Sequence, residues 1–195
     1  MLWFFFTAYG QAPDVSYEHV RTAADCVLEA RPKTHHARAS LRATCAWSEV
    51  DPAVLSKMVT TYSTYTDWLW PLKECRVIRE EESRTLVYQR QKIAPLSDRE
   101  VLLWMSQSDQ GGTTQVTWHA ATEEPLELQP GSVRTPVNKG MWSIQAAPSG
   151  GSHVVHEIEV DAGGVPVPAF LMDWIRQRGL LSILKDVRRQ AAQKK

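Results

Sequence analysis

Residues 154–174 read VVHEIEVDAGGVPVPAFLMDW, and three kinds of local chemistry follow one another within that span. Val154, His156, Ile158 and Val160 alternate with Val155, Glu157 and Glu159, the two-residue period of a strand with one face turned to a core. Asp161-Ala162-Gly163-Gly164-Val165-Pro166 carries the glycines and proline of a turn. From near Pro168 to about Ala192 the apolar residues Leu171, Trp174, Ile175, Leu181, Leu184 and Val187 form a broad helical face. Lys185, Arg188 and Arg189 stand near its end, where cations suit the helix dipole. A strand therefore turns directly into one long terminal helix.

Working outward, most of the preceding chain also reads as strand. Thr114–Ala120 alternates Val116, Trp118 and Ala120 with Gln115, Thr117 and His119. Further strands are predicted near Cys26–Arg31, His36–Trp47, Leu72–Glu80, Leu86–Ile93, Arg99–Ser108 and Gly140–Ala147. Turn signals such as Asp109-Gln110-Gly111-Gly112 and Pro148-Ser149-Gly150-Gly151 separate them. A first helix opens at Asp51-Pro52, an N-cap followed by proline, carries Val54, Leu55, Met58 and Val59, and closes at Trp68-Leu69-Trp70-Pro71. This order predicts an α+β molecule, a meander of antiparallel strands curved around the long C-terminal helix.

Composition bounds the function. A chain of 195 residues has room for one domain with a substantial core, and 43% hydrophobic with 23% charged residues excludes disordered and collagen-like classes. Eight tryptophans suit a bulky core or the lining of an apolar cavity. Lysine plus arginine (22) balance aspartate plus glutamate (22), so the field that holds a nucleic acid is missing. Cys26, Cys45 and Cys75 match no zinc or redox spacing and are read as ordinary buried thiols, at least one of them without an internal partner. Leu2–Ala8 is too short to span a bilayer. Residues 1–13 are set apart as a remnant signal peptide, with Gly10 and Ala12 as the small residues of a cleavage point, or as an apolar segment packed on the domain.

Several segments together resemble the START (StAR-related lipid transfer) family, a branch of the helix-grip, Bet v 1-like superfamily. Pro95-Leu96-Ser97-Asp98-Arg99-Glu100-Val101 is similar to its P-x-S-D-R-[DE]-[FV] segment, and Gly140-Met141-Trp142-Ser143-Ile144 to its G-x-W-x-[LI] strand. Val154–Trp174 resembles the family's strand, glycine turn and lid helix in order and spacing, and Tyr65-Thr66-Asp67-Trp68 and Cys75-Arg76-Val77-Ile78 fall in family-like places. The resemblance covers about residues 18–190, within a START-like lipid-binding domain of residues 14–195. It implies a helix-grip fold with an internal hydrophobic cavity that carries one lipid or sterol-like ligand. Two departures stand out. The family's leading amphipathic helix has no counterpart in LWFFFTAYGQAPDVSYE, which favours a periplasmic or exported protein over a cytoplasmic one. Met105 stands where mammalian steroid-binding members place a cavity arginine, so that buried charge is not carried over.

Strand period and the resemblance together assign inward positions: Val101, Leu103 and Met105 with Leu102 and Trp104 outside; Val116 and Trp118; Trp142 and Ile144; His156 and Ile158. Phe170, Leu171 and Trp174 come from the helix. Gln89 is a polar candidate, with Gln91 beside it. His156 is a titratable group among valines and isoleucine, either a satisfied core histidine or the polar contact to a ligand head group. The family's loop before the S-D-R segment supplies a gate at Ile93, Pro95 and Leu96, able to touch a membrane transiently with help from Lys92 and the basic helix end. No nucleophile elbow, zinc motif, phosphate loop or dinucleotide fingerprint occurs, and His153 and His156 point to opposite faces of a strand. The expectation is a monomeric, non-catalytic carrier without metal or cofactor. Two alternatives remain: an aromatase/cyclase-like enzyme on the same fold acting on a polyketide, and a lipid sensor docking to a partner protein.

Overall fold

A computed structural model describes residues 16–32, 40–92, 96–161, 163 and 169–194, with 169–178 described as backbone. In chain order it has β1 (Glu18–Ala23), β2 (Cys26–Arg31), β3 (Ser40–Trp47), α1 (Pro52–Thr60), a 3₁₀ turn (Tyr62–Asp67), β4 (Leu72–Glu80) and β5 (Thr85–Gln91). There follow β6 (Arg99–Gln110), β7 (Thr113–Ala120), β8 (Val133–Arg134), β9 (Val137–Ala146), β10 (Ser152–Asp161) and α2 (Ala169–Gln193).

The strands form one sheet in the order β1-β2-β3-β10-β9-β7-β6-β5-β4, antiparallel throughout except for the short β8, which runs parallel to β6. A simple meander is therefore corrected. After β3 the chain leaves through α1, starts again at the opposite edge with β4, and returns strand by strand until β10 docks on β3, with Val154 opposite Cys45 and His156 opposite Ala43. Gly111 and Gly112, at φ +60° and +75°, make the two-residue turn between β6 and β7, where positive φ at both positions matches the strand twist. Strand β1 was not read from the sequence: it is an edge strand, exposed along most of its length, so it shows no alternation.

Helix α1 is capped as expected, with the Ala53 N–H donating to Asp51 Oδ1 at 2.7 Å. It stops earlier than the expected closure at Trp68. The Thr60 and Thr61 hydroxyls donate back to the Ser56 and Lys57 carbonyls at 2.9 and 2.7 Å, and the chain tightens into the 3₁₀ turn. Leu55, Met58 and Val59 of α1 share one core with the concave face of the sheet and with Leu180, Leu181, Leu184, Val187 and Ala191 of α2.

The reading of all three cysteines as thiols is corrected. Cys26 and Cys45 stand opposite each other on β2 and β3 and form a disulfide; Cys75 remains free. Close by, Ala24 and Asp25 hold left-handed φ of 55° and 57° in the β1–β2 turn. Arg188 of α2 clamps that turn, reaching Asp25 at 2.9 Å and the Ala24 carbonyl at 3.3 Å while also pairing with Glu49. Arg188 thus fastens the helix to the sheet, and Arg189 pairs with Asp186.

The disulfide closes a loop of 19 residues. Such a link is worth about 3 kcal/mol, chiefly by restricting the unfolded chain. The Cys26→Ala, Cys45→Ala double variant is expected to lose about that much in urea unfolding. Equal unfolding free energies would show that the link contributes nothing.

Candidate functional site

Strand register arranges the concave face in rows. One row runs Val116, Trp142, His156, Ala43 and Leu28; the next runs Met105, Trp118, Gly140, Ile158, Leu41 and Ala30. Beside them, Val87, Leu103 and Ala120 lie on one side and Ile144, Val154, Cys45 and Cys26 on the other. Nearly all are buried in the core shared with the helices. The result is a wide apolar wall with few polar atoms.

Two indoles and an imidazole occupy its middle. The Trp118 ring lies across Gly140, where any Cβ would meet Trp118 Cζ2 at 2.5 Å and the Glu157 carbonyl at 2.2 Å, so the position admits only glycine. Trp118 Nε1 donates to Asn138 Oδ1 at 2.9 Å, and both residues are buried. His156, 2% exposed, stacks on Trp142 with centroids 3.7 Å apart at 17°, and stands 5.7 Å from Trp118 at 28°. Its Nδ1 lies 3.1 Å from the Met141 carbonyl oxygen. A carbonyl only accepts, so Nδ1 carries the proton and Nε2 is left as a bare acceptor. Among the described residues no group hydrogen-bonds Nε2; the indole nitrogens of Trp47 and Trp68 are likewise buried and unpaired. Burial pushes the His156 pKa down to about 3, and the ring is neutral at ordinary pH.

The structure brings most of the sequence-predicted residues onto this one face. Gln89, Val101, Leu103, Met105, Val116, Trp118, Trp142, Ile144 and His156 are buried there, and Ile158 is half-buried against the same core. Gln89 sits opposite Cys75 and Val101, with its Nε2 4.0 Å from the Cys75 sulfur. Burial raises that thiol to about 11, which leaves it protonated and a poor nucleophile. Phe170, Leu171 and Trp174 lie on α2, but their side chains fall outside the described residues, as do Ile93 and Pro95; Leu96 is half-buried at a bend. Asn138 was missed. It stands in β9 two residues before Gly140, where the strand read from the sequence begins, and its only signal is the buried indole N–H it must satisfy.

The S-D-R segment joins two parts of the chain. Buried Arg99 donates to the Ser97 carbonyl and, at 3.4 Å, to the Gly163 carbonyl, tying the start of β6 to Gly163 after β10. Leu102 and Trp104 face away from the concave side as expected, yet they are buried. With Leu86, Tyr88 and Ala121 they form a second, smaller cluster, and Leu126 of the β7–β8 connection packs on it.

Neither a family model nor a curated protein matches the sequence. Solved structures do match. Human StAR-related lipid transfer protein 5 superposes with a TM-score of 0.82 at 13% identity, over 92% of this chain and 88% of that one. A STAR-related lipid transfer protein fragment from Xanthomonas axonopodis gives 0.76 at 16% identity, over 90% and 98%. The fold is a START-like helix-grip. The same helix-grip likeness extends, at a TM-score of 0.56 and 13% identity, to the Zhui aromatase/cyclase from a Streptomyces species, over 78% of this chain and 92% of that one.

His156 makes this helix-grip acid-sensitive. Below about 6.5 the unfolded chain binds a proton that the folded chain refuses until about 3. Stability from this group is therefore fully present above about pH 6.5 and falls by roughly 1.4 kcal/mol per pH unit below it. Urea unfolding between pH 7 and pH 4 should show a steeper loss for the wild type than for His156→Phe, and parallel curves would remove His156 as the cause.

Proposed function

We propose that the concave face and α2 enclose a single apolar molecule, a lipid or sterol-like ligand, and carry it without changing it chemically. The observation that carries this reading is the continuous apolar wall of Leu103, Met105, Val116, Trp118, Trp142, Ile144 and Val154 on one side of the sheet. The names of the START-like neighbours, lipid transfer proteins, point the same way. Phe170, Leu171 and Trp174 of α2 complete the enclosure in this reading. Hydrocarbon removed from water contributes about 25 cal/mol per Å², so the wall supplies affinity while a single polar contact, worth about 1 kcal/mol, supplies orientation. Chemistry would need a group poised near neutrality. His156, held far below it, is a weak base, and the Cys75 thiol is held far above it.

Entry takes place at the loop that carries Ile93, Pro95 and Leu96, next to the turn that Arg99 holds. This corner is suited to a membrane surface. The Lys92 N–H donates to the Pro71 carbonyl at 3.0 Å, which sets the exposed Lys92 beside Trp70, whose indole is 53% exposed. A tryptophan with neighbouring cations is the usual composition of a bilayer interface. The protein acts as a monomer that touches the membrane briefly while ligand passes.

Native mass spectrometry after incubation with vesicles of mixed lipids is expected to show one apolar molecule per chain. Ligand-free protein throughout would refute carriage. Trp70→Ala should slow transfer between vesicles several-fold without lowering the amount bound at equilibrium; unchanged transfer would move the docking corner elsewhere.

A further inference from the structure

Among the buried residues of its row, Val116, Trp142, Ala43 and Leu28, His156 is the one titratable side chain, and its free edge is fully buried. Nδ1 is held by a carbonyl of the sheet itself, the Met141 oxygen at 3.1 Å. Nε2, on the far side of the ring, is therefore turned away from that strand. The ring cannot swing to another partner, since Trp142 lies 3.7 Å from its face and Trp118 crowds it from the next row, pinned by its own bond to Asn138. A buried acceptor locked in place with no donor among the described residues loses the hydrogen bonds that water gave it in the unfolded chain, unless something that enters the site restores one.

The chemistry of that something is narrow. A bare imidazole nitrogen accepts and does not donate, so ionised carboxylates, phosphodiesters, ketones and esters, which only accept, leave it unpaired. An ammonium group could donate, but its charge is disfavoured in a wall of indole and aliphatic carbon. A neutral hydroxyl satisfies both conditions. We infer that the bound molecule is an apolar alcohol whose hydroxyl donates to His156 Nε2 beside Trp142 and Trp118, with its hydrocarbon body along Val116, Met105 and Leu103; this rests on the lipid-carrying reading above. His156 then selects the ligand by its head group, while the apolar wall holds its body.

Paired probes test this directly. Cholesterol, hexadecanol and dioleoylglycerol, each alongside its own methyl ether, are presented in phosphatidylcholine vesicles, and binding to the full chain is read by native mass spectrometry. Methylation removes the donor and leaves the body unchanged. At least one alcohol is expected to bind one per chain and its ether about tenfold more weakly or worse, with the Nε2 resonance of His156 shifting for the alcohol alone. In His156→Phe the alcohol and ether should bind alike. Equal binding of an alcohol and its ether to the wild type, or retention of phosphatidylcholine in preference to every alcohol, overturns the inference while lipid carriage stands. Retention of no apolar molecule at all overturns carriage itself. Because the ether comparison uses the wild type, it decides the matter even where His156→Phe folds poorly.

Discussion

Strand β10 holds the molecule together. It pairs with β3 on one side and β9 on the other, and so joins the amino-terminal hairpin strands to a set of strands that began at the opposite edge. Its hydrogen bonds connect residues more than a hundred positions apart, as between Ser152 and Trp47. Loop closure over such a distance is entropically costly and is repaid only when the whole face packs at once. The same strand carries His156 inward, flanked by Trp142 of β9 and Ala43 of β3, and it is the last strand before α2.

From that pairing follows a sheet with two unlike faces. The concave side meets α1 and α2 and is apolar across its width. The opposite side is covered only locally, where Trp104 donates its indole N–H to Glu123 at 2.8 Å and Arg84 stacks on the ring at 3.7 Å. Strand β6 lies between both clusters, which explains why Val101, Leu102, Leu103, Trp104 and Met105 are all apolar and all buried. Helix α2 is fastened toward its carboxyl end by Arg188 and buried leucines, and Gly163, after β10, accepts from Arg99.

Polar atoms on such a wall are informative because they are few. Asn138 is used up by Trp118, and the Gln89 amide lies against the Cys75 sulfur. His156 differs in having one nitrogen satisfied by the sheet and the other without a partner among the described residues. Its neutrality follows from burial rather than from any neighbouring charge, so the site presents a fixed lone pair in a dry setting. In the proposed carriage of a lipid, affinity from area and orientation from a single acceptor are separate contributions, and they can be altered separately.

Much of this was legible in the chain. The alternation in Val154–Val160, the glycine turn after it and the helical spacing beyond were enough for the strand, the terminal helix and the inward set on β7, β9 and β10, because those signals depend only on local period. Strand β1, the early end of α1 and the local cover over Trp104 were not legible: an edge strand has no buried face to mark it, and the Thr60 and Thr61 back-bonds compete with helix only once the next segment pulls away. Likewise the Cys26–Cys45 link needed the β2–β3 register, which brings two residues 19 apart into opposition, and a count of three cysteines says nothing of register. The sequence by itself determined which residues are apolar and which way β7, β9 and β10 turn theirs. Only the tertiary structure decided that β10 closes on β3, and that His156 meets a carbonyl at one nitrogen and, among the described residues, no partner at the other, because strand partners and hydrogen-bond satisfaction are set by groups distant in the chain.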